Sequence, residues 1–370
     1  MYKYIQDSIK NNSRCVLKGL TRPQQKALSE IVRGLFTAGE PILRHIAQDS
    51  TKPAKKQAEK YSYHLGNVQI QEKVEELALK QAQKQIRKRT IIAYDLTDIA
   101  KESARKIEKL SRVWDGSKRK TTTGFSLHGV GINGILTKFQ VHDSDRFTLN
   151  QVRRKIVTEI SEKLGKKGIW VIDRGNDHKH YFKFLRQDLK ADFIARLKSN
   201  RQVVLKKTGV KIQVKNLQAG KYAVYLMRKN NDHVDLSCEY TLIISNHLEG
   251  KELIRLLHSL KFRYSKNQIL NMYLQRWGVE NIFKRVKEKF DLESIRVLKW
   301  QKFVNLVALI QLAVLVSTMM FLKIQQSTNA LIIGVLMHYK KFMKLKTLGF
   351  NLDSFISFMQ KSLKPLLFRL

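Results

Sequence analysis

An alternation of strand-like and helix-like segments across residues 91–197 restricts the chain to few architectures. Three strand candidates come first, and the second and third meet at Asn133-Gly134, a dipeptide typical of tight β-hairpins. A helix, a strand, a second helix and a last strand follow. The predicted strands cover residues 91–97, 125–132, 135–141, 168–173 and 192–197, and the predicted helices cover residues 149–164 and 178–187. This order predicts a layered α/β domain.

Four shorter strand candidates between residues 201 and 246 interrupt the pattern. Short turns join them, which predicts an antiparallel β insertion. The chain on either side is predicted to be helical. Thr21 and Gln24 have capping-box spacing at one helix start, and Gly66 stops a later helix. After Leu248 the chain returns to helices, of which a long one begins near Asn267.

The charge of the chain points to a polyanion as its partner. Lys and Arg number 70 against 31 Asp and Glu, a formal net charge of +39 that is spread along the sequence. A folded chain this basic repels itself unless a polyanion neutralises it, and a DNA backbone does so while releasing condensed counterions. Nucleic acid is therefore the expected partner. A basic protein of the ribosome or nucleoid fits the charge equally well.

The segment Phe303–Leu322 is long enough to span a bilayer, because it has 20 residues without a charge. Four polar residues interrupt it: Asn305, Gln311, Ser317 and Thr318. A single span is less plausible on a chain suited to DNA than a helix buried behind the sheet. We therefore predict a buried helix and no membrane partner.

The two cysteines and the first residues indicate the compartment. Cys15 and Cys238 are too far apart in sequence to form a zinc site or a disulfide framework, which suits a reducing cytosol. Residues 1–7 lack the basic flank and apolar core of a signal peptide. We expect a cytoplasmic protein associated with the nucleoid.

Two aspartates end predicted strands that should be neighbours in the sheet. Asp95 closes the first strand and Asp173 closes the fourth, and parallel neighbours would bring both carboxylates to the same edge. Clustered carboxylates raise one another's pKa by mutual repulsion, so a fold that gathers them usually implies a cation. Phosphodiester cleavage calls for two divalent cations about 3.5–4 Å apart, which such a cluster can hold.

A third acid, Glu280, has a distinctive set of neighbours on its predicted helix. Tyr273, Arg276 and Lys287 share a face with it about 60° wide, at roughly 100° per residue. An acid flanked by Tyr, Arg and Lys suits a scissile phosphate held beside metal ions. The same spacing also fits an ordinary amphipathic helix with an intrahelical ion pair.

These motifs resemble those of a known family. Residues 273–287 read Y-x2-R-x3-E-x6-K without a gap, residues 173–177 (Asp-Arg-Gly-Asn-Asp) are similar to a second-aspartate motif, and Asp95-Leu96-Thr97 is similar to a first. Together they resemble the DDE transposases of bacterial insertion sequences, in particular the YREK-bearing group called insertion-sequence family four. The likeness covers about residues 90–295 and includes the strand-rich insertion before the glutamate.

The resemblance implies an RNase H-like α/β core and two-metal phosphoryl transfer. The catalytic and metal-binding residues would be Asp95, Asp173 and Glu280, which would hold two Mg²⁺ ions, for which Mn²⁺ can substitute. The residues in contact with DNA would be Tyr273, Arg276, Lys287 and Arg174. The protein would act as a homodimer that pairs two ends of double-stranded DNA, releases them and joins their 3′-OH groups to target DNA.

The resemblance also implies a division of the chain. The regions are a helical DNA-binding region (1–88), a first part of the RNase H-like core (89–200), the β insertion (201–246), a second part of the core with the Glu280 helix (247–298) and a C-terminal helical region (299–370).

Two rival functions stay open. A domesticated, non-catalytic DNA-binding protein would gain nothing from three clustered acids beside DNA, which argues against it. An RNase H-like nuclease would need the acids but not the stripe of Tyr273, Arg276 and Lys287.

Other polar and aromatic residues are assigned lesser roles. Asp98 and Asp177 lie shortly after better-placed aspartates, so helix-start or solvated roles are predicted for them. Some relatives stack a flipped base on an aromatic ring of the insertion. Tyr240, Tyr264 and Trp277 are candidates for that ring, although core packing is predicted for each.

Overall fold

The computed structural model describes residues 2–116, 118–228, 231–246, 253–260, 264–325 and 351–363. Its helices are α1 (Tyr2–Leu17), α2 (Arg22–Ala38), α3 (Leu43–Ile46), α4 (Ala54–Gly66), α5 (Gln71–Gln83), α6 (Leu149–Lys163), α7 (Lys179–Lys183), α8 (Lys266–Leu274), α9 (Trp277–Phe290), α10 (Trp300–Gln325) and α11 (Leu352–Leu363). Its strands are β1 (Ile91–Ala100), β2 (Ser111–Asp115), β3 (Lys120–Ile132), β4 (Ile135–Val141), β5 (Ile169–Ile172), β6 (Asp192–Arg196), β7 (Gln202–Leu205), β8 (Lys211–Gln213), β9 (Gly220–Arg228), β10 (Asn231–Val234), β11 (Tyr240–Asn246) and β12 (Leu253–His258). The predicted C-terminal helices fall partly on residues 326–350 and 364–370, which lie outside the described residues.

The strands form one mixed sheet of twelve strands. In its first half, β1 lies between β3, to which it is antiparallel, and β5, to which it is parallel. β5 is in turn parallel to β6, and β4 pairs with the far edge of β3. Helices pack on this half of the sheet. The predicted layered α/β domain is confirmed, and its strand arrangement is consistent with an RNase H-like transposase core.

The predicted hairpin joins β3 to β4. Asn133 has a φ of 48° and Gly134 a φ of 79°, and positive φ at both central positions is what a type I′ turn requires. Ile132 and Ile135 pair directly across this turn. The dipeptide therefore sets the register of the two strands on the side of β1 away from β5.

The first strand is longer than the sequence suggested. β1 continues to Ala100, so the prediction that Asp95 ends the strand is wrong. Its parallel pairing with β5 stops at Ala93 opposite Val171, whereas its pairing with β3 continues to Ala100. The polar residues after Asp95 stay in the strand because β3 supplies hydrogen-bond partners for their backbone groups.

The segment Leu253–His258, which the sequence predicts to be helical, is strand β12 and connects the two halves of the sheet. β12 lies between β6 and β11 and is antiparallel to both. The prediction that the chain returns to helices after Leu248 is therefore wrong for Leu253–His258. A short apolar run of this kind suits either a helix or a strand, and pairing on both edges selects the strand. The strands of the insertion consequently extend the core sheet.

The predicted apolar helix, α10, lies in the interior beside β4. It is long and apolar enough to cross a membrane, and 89% of its apolar window is buried inside the protein. The Asn305 amide donates to the carbonyls of Leu65 and Val68, both at 2.8 Å, and the Gln311 amide donates to the Leu136 carbonyl at 3.0 Å. Buried amide groups that donate to carbonyls of the same protein are typical of a core helix. The predicted helix buried behind the sheet is confirmed.

The N-terminal helices pack against α10, and the predicted start of α2 and the predicted end of α4 are confirmed. Thr21 and Gln24 form the capping box of α2, and Gly39 ends that helix with a φ of 73°. α4 ends at Gly66. The buried faces of α2 and α10 belong to one apolar cluster, which also includes residues of β3, β4 and α9.

Candidate active site

Two glycines allow α9 to lie close to the sheet. A Cβ atom at Gly129 would stand 2.2 Å from the Phe283 ring, and one at Gly131 would stand 3.3 Å from side-chain atoms of Ile282 and Val279. Both glycines are on β3, and Gly129 is the direct cross-strand partner of Asp95. The missing side chains therefore let α9 cross the sheet beside the strand that carries Asp95.

The first two acids lie side by side on neighbouring strands. Ala93 pairs with Val171, so the same register continued by two residues sets Asp95 beside Asp173. Asp173 follows β5 directly and starts a short helical turn. Its Oδ2 accepts from the Gly175 backbone N–H at 3.0 Å, and its Oδ1 accepts from the Asn176 backbone N–H at 3.2 Å. The prediction that parallel pairing of their strands brings these two positions together is confirmed.

Arg276 joins the third acid to the first. Its Nη1 donates to Asp95 Oδ2 at 3.0 Å, and its Nη2 lies 2.6 Å from Glu280 Oε1. Glu280 is therefore on the same side of the sheet as Asp95. The intrahelical ion pair that an ordinary amphipathic helix would form is present, but the same guanidinium also reaches β1.

The helix that carries these residues is divided. The sequence predicts one long helix from about Asn267, whereas α8 ends at Leu274 and α9 begins at Trp277. Gln275 and Arg276 keep right-handed helical backbone angles between them. The face shared by Tyr273, Arg276 and Glu280 consequently survives the break.

The charge at Asp95 is incompletely compensated. The pKa of its carboxyl is raised to about 7, chiefly by burial and also by the negative charges of Asp173 and Glu280. The Arg276 guanidinium and a hydrogen bond from the Leu96 backbone N–H act in the opposite direction. Because a positive charge favours the ionised form of a carboxyl, a bound divalent cation would offset this raised pKa.

The donors fit a hard divalent cation, although the side chains are not yet gathered around one. Within the described ranges, no three His, Cys, Asp or Glu side chains stand close enough together to hold a metal ion as they are. Arg276 supplies positive charge between Asp95 and Glu280 instead. Glu280 keeps 47% of its side chain exposed and can turn away from Arg276. Carboxylate oxygens are the ligands that Mg²⁺ prefers.

Of the four residues predicted to contact DNA, Arg276, Tyr273 and Lys287 form contacts within the protein. Tyr273 is 3% exposed and its ring centroid lies 5.8 Å from the Arg276 guanidinium carbon. Lys287 Nζ donates to the Asp98 carbonyl at 2.7 Å and to Glu293 Oε1 at 3.1 Å. Arg174 is exposed beside Asp173. These contacts hold α8 and α9 onto the sheet, and DNA binding by these residues stays a prediction.

The two neighbouring aspartates have structural partners. Asp98 lies inside β1, and its Oδ1 accepts from Ser126 Oγ at 2.5 Å. Its odd separation from Asp95 points the two side chains to opposite faces of the strand. Asp177 is fully buried and lies 2.6 Å from Arg201 in an ion pair. The prediction of helix-start or solvated roles is wrong for both, because side chains distant in sequence donate hydrogen bonds to these carboxylates.

The aromatic candidates divide into two groups. Tyr240 and Tyr264 are buried, which confirms the predicted core packing. Trp277 is 42% exposed at the start of α9, so the same prediction is wrong for it.

The roles of two residues near Asp173 were not predicted from the sequence. The Asn176 side-chain amide donates to Asp173 Oδ1, and its own oxygen accepts from Arg153 of α6. An Asp at a turn commonly accepts from the backbone two residues on, which suits the Gly175 contact, but it does not indicate the contact with the Asn176 side chain. Nothing in the local sequence around Arg153 indicates its contact with Asn176.

Fold and site together define an α/β protein with an acidic site on its sheet, set in a strongly basic chain. The family model described as the transposase DDE domain matches residues 86–316, which is more than half of the chain. The chain therefore belongs to the DDE transposase family, whose members act on DNA and generally use divalent metal ions. A comparison with curated proteins gave no match.

Proposed function

We propose that the chain is the transposase of a bacterial insertion sequence of the YREK-bearing group, insertion-sequence family four. It binds the terminal inverted repeats of its element, cleaves DNA strands at both ends and joins the 3′-OH groups to target DNA in a cut-and-paste reaction. The gapless signature across residues 273–287 supports this finer assignment, together with the family match over residues 86–316.

The double contact of Arg276 carries the proposal. One guanidinium reaches both Asp95 on β1 and Glu280 on α9, positions that are far apart in sequence. Asp173 adjoins Asp95 through the parallel pairing of their strands. An arrangement that only stabilised the fold would have no need to leave the Asp95 carboxyl with a pKa raised to about 7 by burial and nearby acids.

In this proposal the three acids hold two Mg²⁺ ions. When bound, the ions supply activation of the attacking oxygen and stabilisation of the leaving oxygen. To join Asp95 as a ligand, Glu280 would have to leave Arg276, and its side chain is 47% exposed and so has room to turn. The Nη2 group of Arg276 would then be available to a DNA phosphate, while Nη1 keeps its contact with Asp95.

In the same proposal, DNA lies around this site. Tyr273, Lys287 and Arg174 contact phosphates near the terminal bases, and the helices of residues 1–88 provide further DNA contacts. Two copies of the chain pair the two ends as a homodimer in the cytoplasm. The net charge of +39 supports extensive phosphate contact, because each neutralised phosphate releases a condensed counterion.

The decisive experiment uses the full-length protein, DNA that carries the native ends, and Mg²⁺. Asp95→Asn, Asp173→Asn and Glu280→Gln should each abolish strand cleavage and leave end binding intact, because they remove a ligand charge and keep the side-chain volume. Asp98→Asn is the matched control, since Asp98 lies on the same strand but bonds Ser126. Retained cleavage by any of the first three variants would refute the assigned triad.

The same assay separates the rival functions. A domesticated DNA-binding protein binds the ends and never cuts them, even with Mg²⁺ or Mn²⁺. An RNase H-like nuclease cuts without joining 3′-OH ends to a second DNA molecule. Joined products from the wild-type protein, lost in all three carboxamide variants, would exclude both.

A further inference from the structure

The carboxylate of Asp173 is held by the turn that follows it. The backbone N–H groups of Gly175 and Asn176 donate to its two oxygens at 3.0 and 3.2 Å. The side-chain amide of Asn176 also donates to Oδ1. Asn176 thus contributes two of the three hydrogen bonds, and the orientation of the carboxylate depends on which way its amide group faces.

A buried arginine sets that amide orientation. Arg153 of α6 is 6% exposed, and its Nη1 donates to the Asn176 side-chain oxygen. A guanidinium can only donate and a carboxylate can only accept, whereas an amide has one end of each kind. Lying between Arg153 and Asp173, the Asn176 amide therefore has one orientation that satisfies both neighbours.

Arg153 is itself firmly fixed. Its Nη2 donates to Asn150 Oδ1 at 2.7 Å, and its guanidinium carbon lies 3.7 Å from the centroid of the Tyr181 ring. Among the described residues it forms no ion pair, although burying an uncompensated cation is costly. Its hydrogen bond to Asn176 connects Arg153 to the carboxylate of Asp173.

We propose that Arg153 is a positioning residue for Asp173. It acts through the Asn176 amide, holding the carboxylate in the orientation that binds a divalent cation, and it touches neither the cation nor DNA. The proposal rests on the proposed function, since it assigns Asp173 a metal-binding role. Partners that orient a metal ligand typically change metal affinity by about 10–100-fold when removed.

The test measures Mn²⁺ affinity of the full-length protein without DNA, by electron paramagnetic resonance titration. Arg153→Met keeps much of the side-chain volume over Tyr181 but removes every donor, and it should weaken Mn²⁺ binding about 10–100-fold. Arg154→Met is the matched control. Arg154 is the next residue on α6, its Nη2 donates to the His180 carbonyl at 3.3 Å, and its guanidinium lies 5.0 Å from the Phe184 ring. Its replacement should leave Mn²⁺ affinity unchanged.

A double mutant distinguishes positioning from general stability. If Arg153 acts through Asn176, then Arg153→Met combined with Asn176→Ala should bind Mn²⁺ no more weakly than Asn176→Ala alone. The proposal would be overturned if the double mutant lost Mn²⁺ affinity by the product of the two single losses. It would also be overturned if Arg153→Met bound Mn²⁺ with wild-type affinity. Should Arg153→Met not fold, Arg153→Lys takes its place in the cycle, because it keeps the charge without the planar fork.

Asp173→Asn separates this proposal from the proposed function. Wild-type Mn²⁺ affinity in Asp173→Asn would mean that Asp173 is no ligand, and both proposals would fail. Weak binding by Asp173→Asn with unchanged binding by Arg153→Met would reject only the positioning role. Weak binding by both, with Arg154→Met unchanged, is the result expected here.

Discussion

Gly129→Ala tests whether the close approach of α9 builds the site. The new Cβ atom would stand 2.2 Å from Cε1 and Cζ of Phe283, whereas carbon atoms in contact are normally about 3.5–4.0 Å apart. The ring must therefore retreat by more than about 1 Å. Phe283 is buried and its ring centroid lies 6.0 Å from that of Phe139, so it has little room to do so. Overpacking of this kind costs about 1–3 kcal/mol of stability.

Gly131→Ala is the matched control for this prediction. Gly131 lies on the same face of β3 two residues further on, and its added Cβ would meet Ile282 and Val279 at 3.3 Å. Those aliphatic side chains need to yield only a few tenths of an ångström. We expect Gly131→Ala to cost less than about 1 kcal/mol, within the range of a tolerated core change.

The assay combines urea unfolding with end cleavage. Gly129→Ala should lower the midpoint of unfolding and reduce cleavage, because Phe283 is one helical turn from Glu280 and its retreat displaces the acid. Adding Phe283→Leu should recover part of the lost stability, a favourable coupling on the order of 1 kcal/mol. Equal costs for the two alanine variants, or no recovery with leucine, would refute the steric argument.

Two further predictions use the same unfolding assay. Without metal ions, ionisation of the buried Asp95 carboxyl should remove stability as pH rises from about 4 through about 7, because its folded pKa is about 7 against 3.8 in its ordinary state and each pKa unit is worth about 1.4 kcal/mol. Buried His128 and His258, whose pKa values are lowered, act in the opposite direction, so the contribution of Asp95 is measured against a variant that lacks only this carboxyl. Relative to Asp95→Asn, the wild-type protein should lose up to a few kcal/mol of unfolding free energy over this pH range, and a difference between the two that stays constant with pH would contradict the assigned burial. Asn305→Leu should destabilise the protein by about 2 kcal/mol, because it leaves the Leu65 and Val68 carbonyls without their donor, and Gln311→Leu, which frees one carbonyl, should cost less. Equal stability of Asn305→Leu and the wild type would show that these bonds do not hold α10.

The elements that the sequence predicted correctly are those with local signals. The turn at Asn133-Gly134 requires two positive φ angles, and few dipeptides supply them. The start of α2 is fixed by Thr21 and Gln24 within a single turn. β5 is a continuous apolar run, as expected for a strand covered on both faces.

The elements that the sequence missed depend on distant partners. β12 is a strand because β6 and β11 pair with its two edges, and no residue pattern within Leu253–His258 indicates this pairing. β1 continues past Asp95 because β3 is long enough to pair with it. Asp177 is buried because Arg201 neutralises it there. In each case, pairing that forms only in the folded chain decides between two local possibilities.

The pair of Arg276 and Glu280 shows why spacing on a helix could not distinguish a catalytic helix from an ordinary amphipathic helix. Arg276 and Glu280 are four residues apart, so helical geometry alone allows their ion pair whether or not the helix has a catalytic role. A guanidinium has a second terminal nitrogen, and the functional question is what that nitrogen reaches. Here it reaches Asp95, because Gly129 opposite Asp95 leaves room for α9. The two interpretations are therefore compatible, and the contact between elements far apart in sequence carries the functional information.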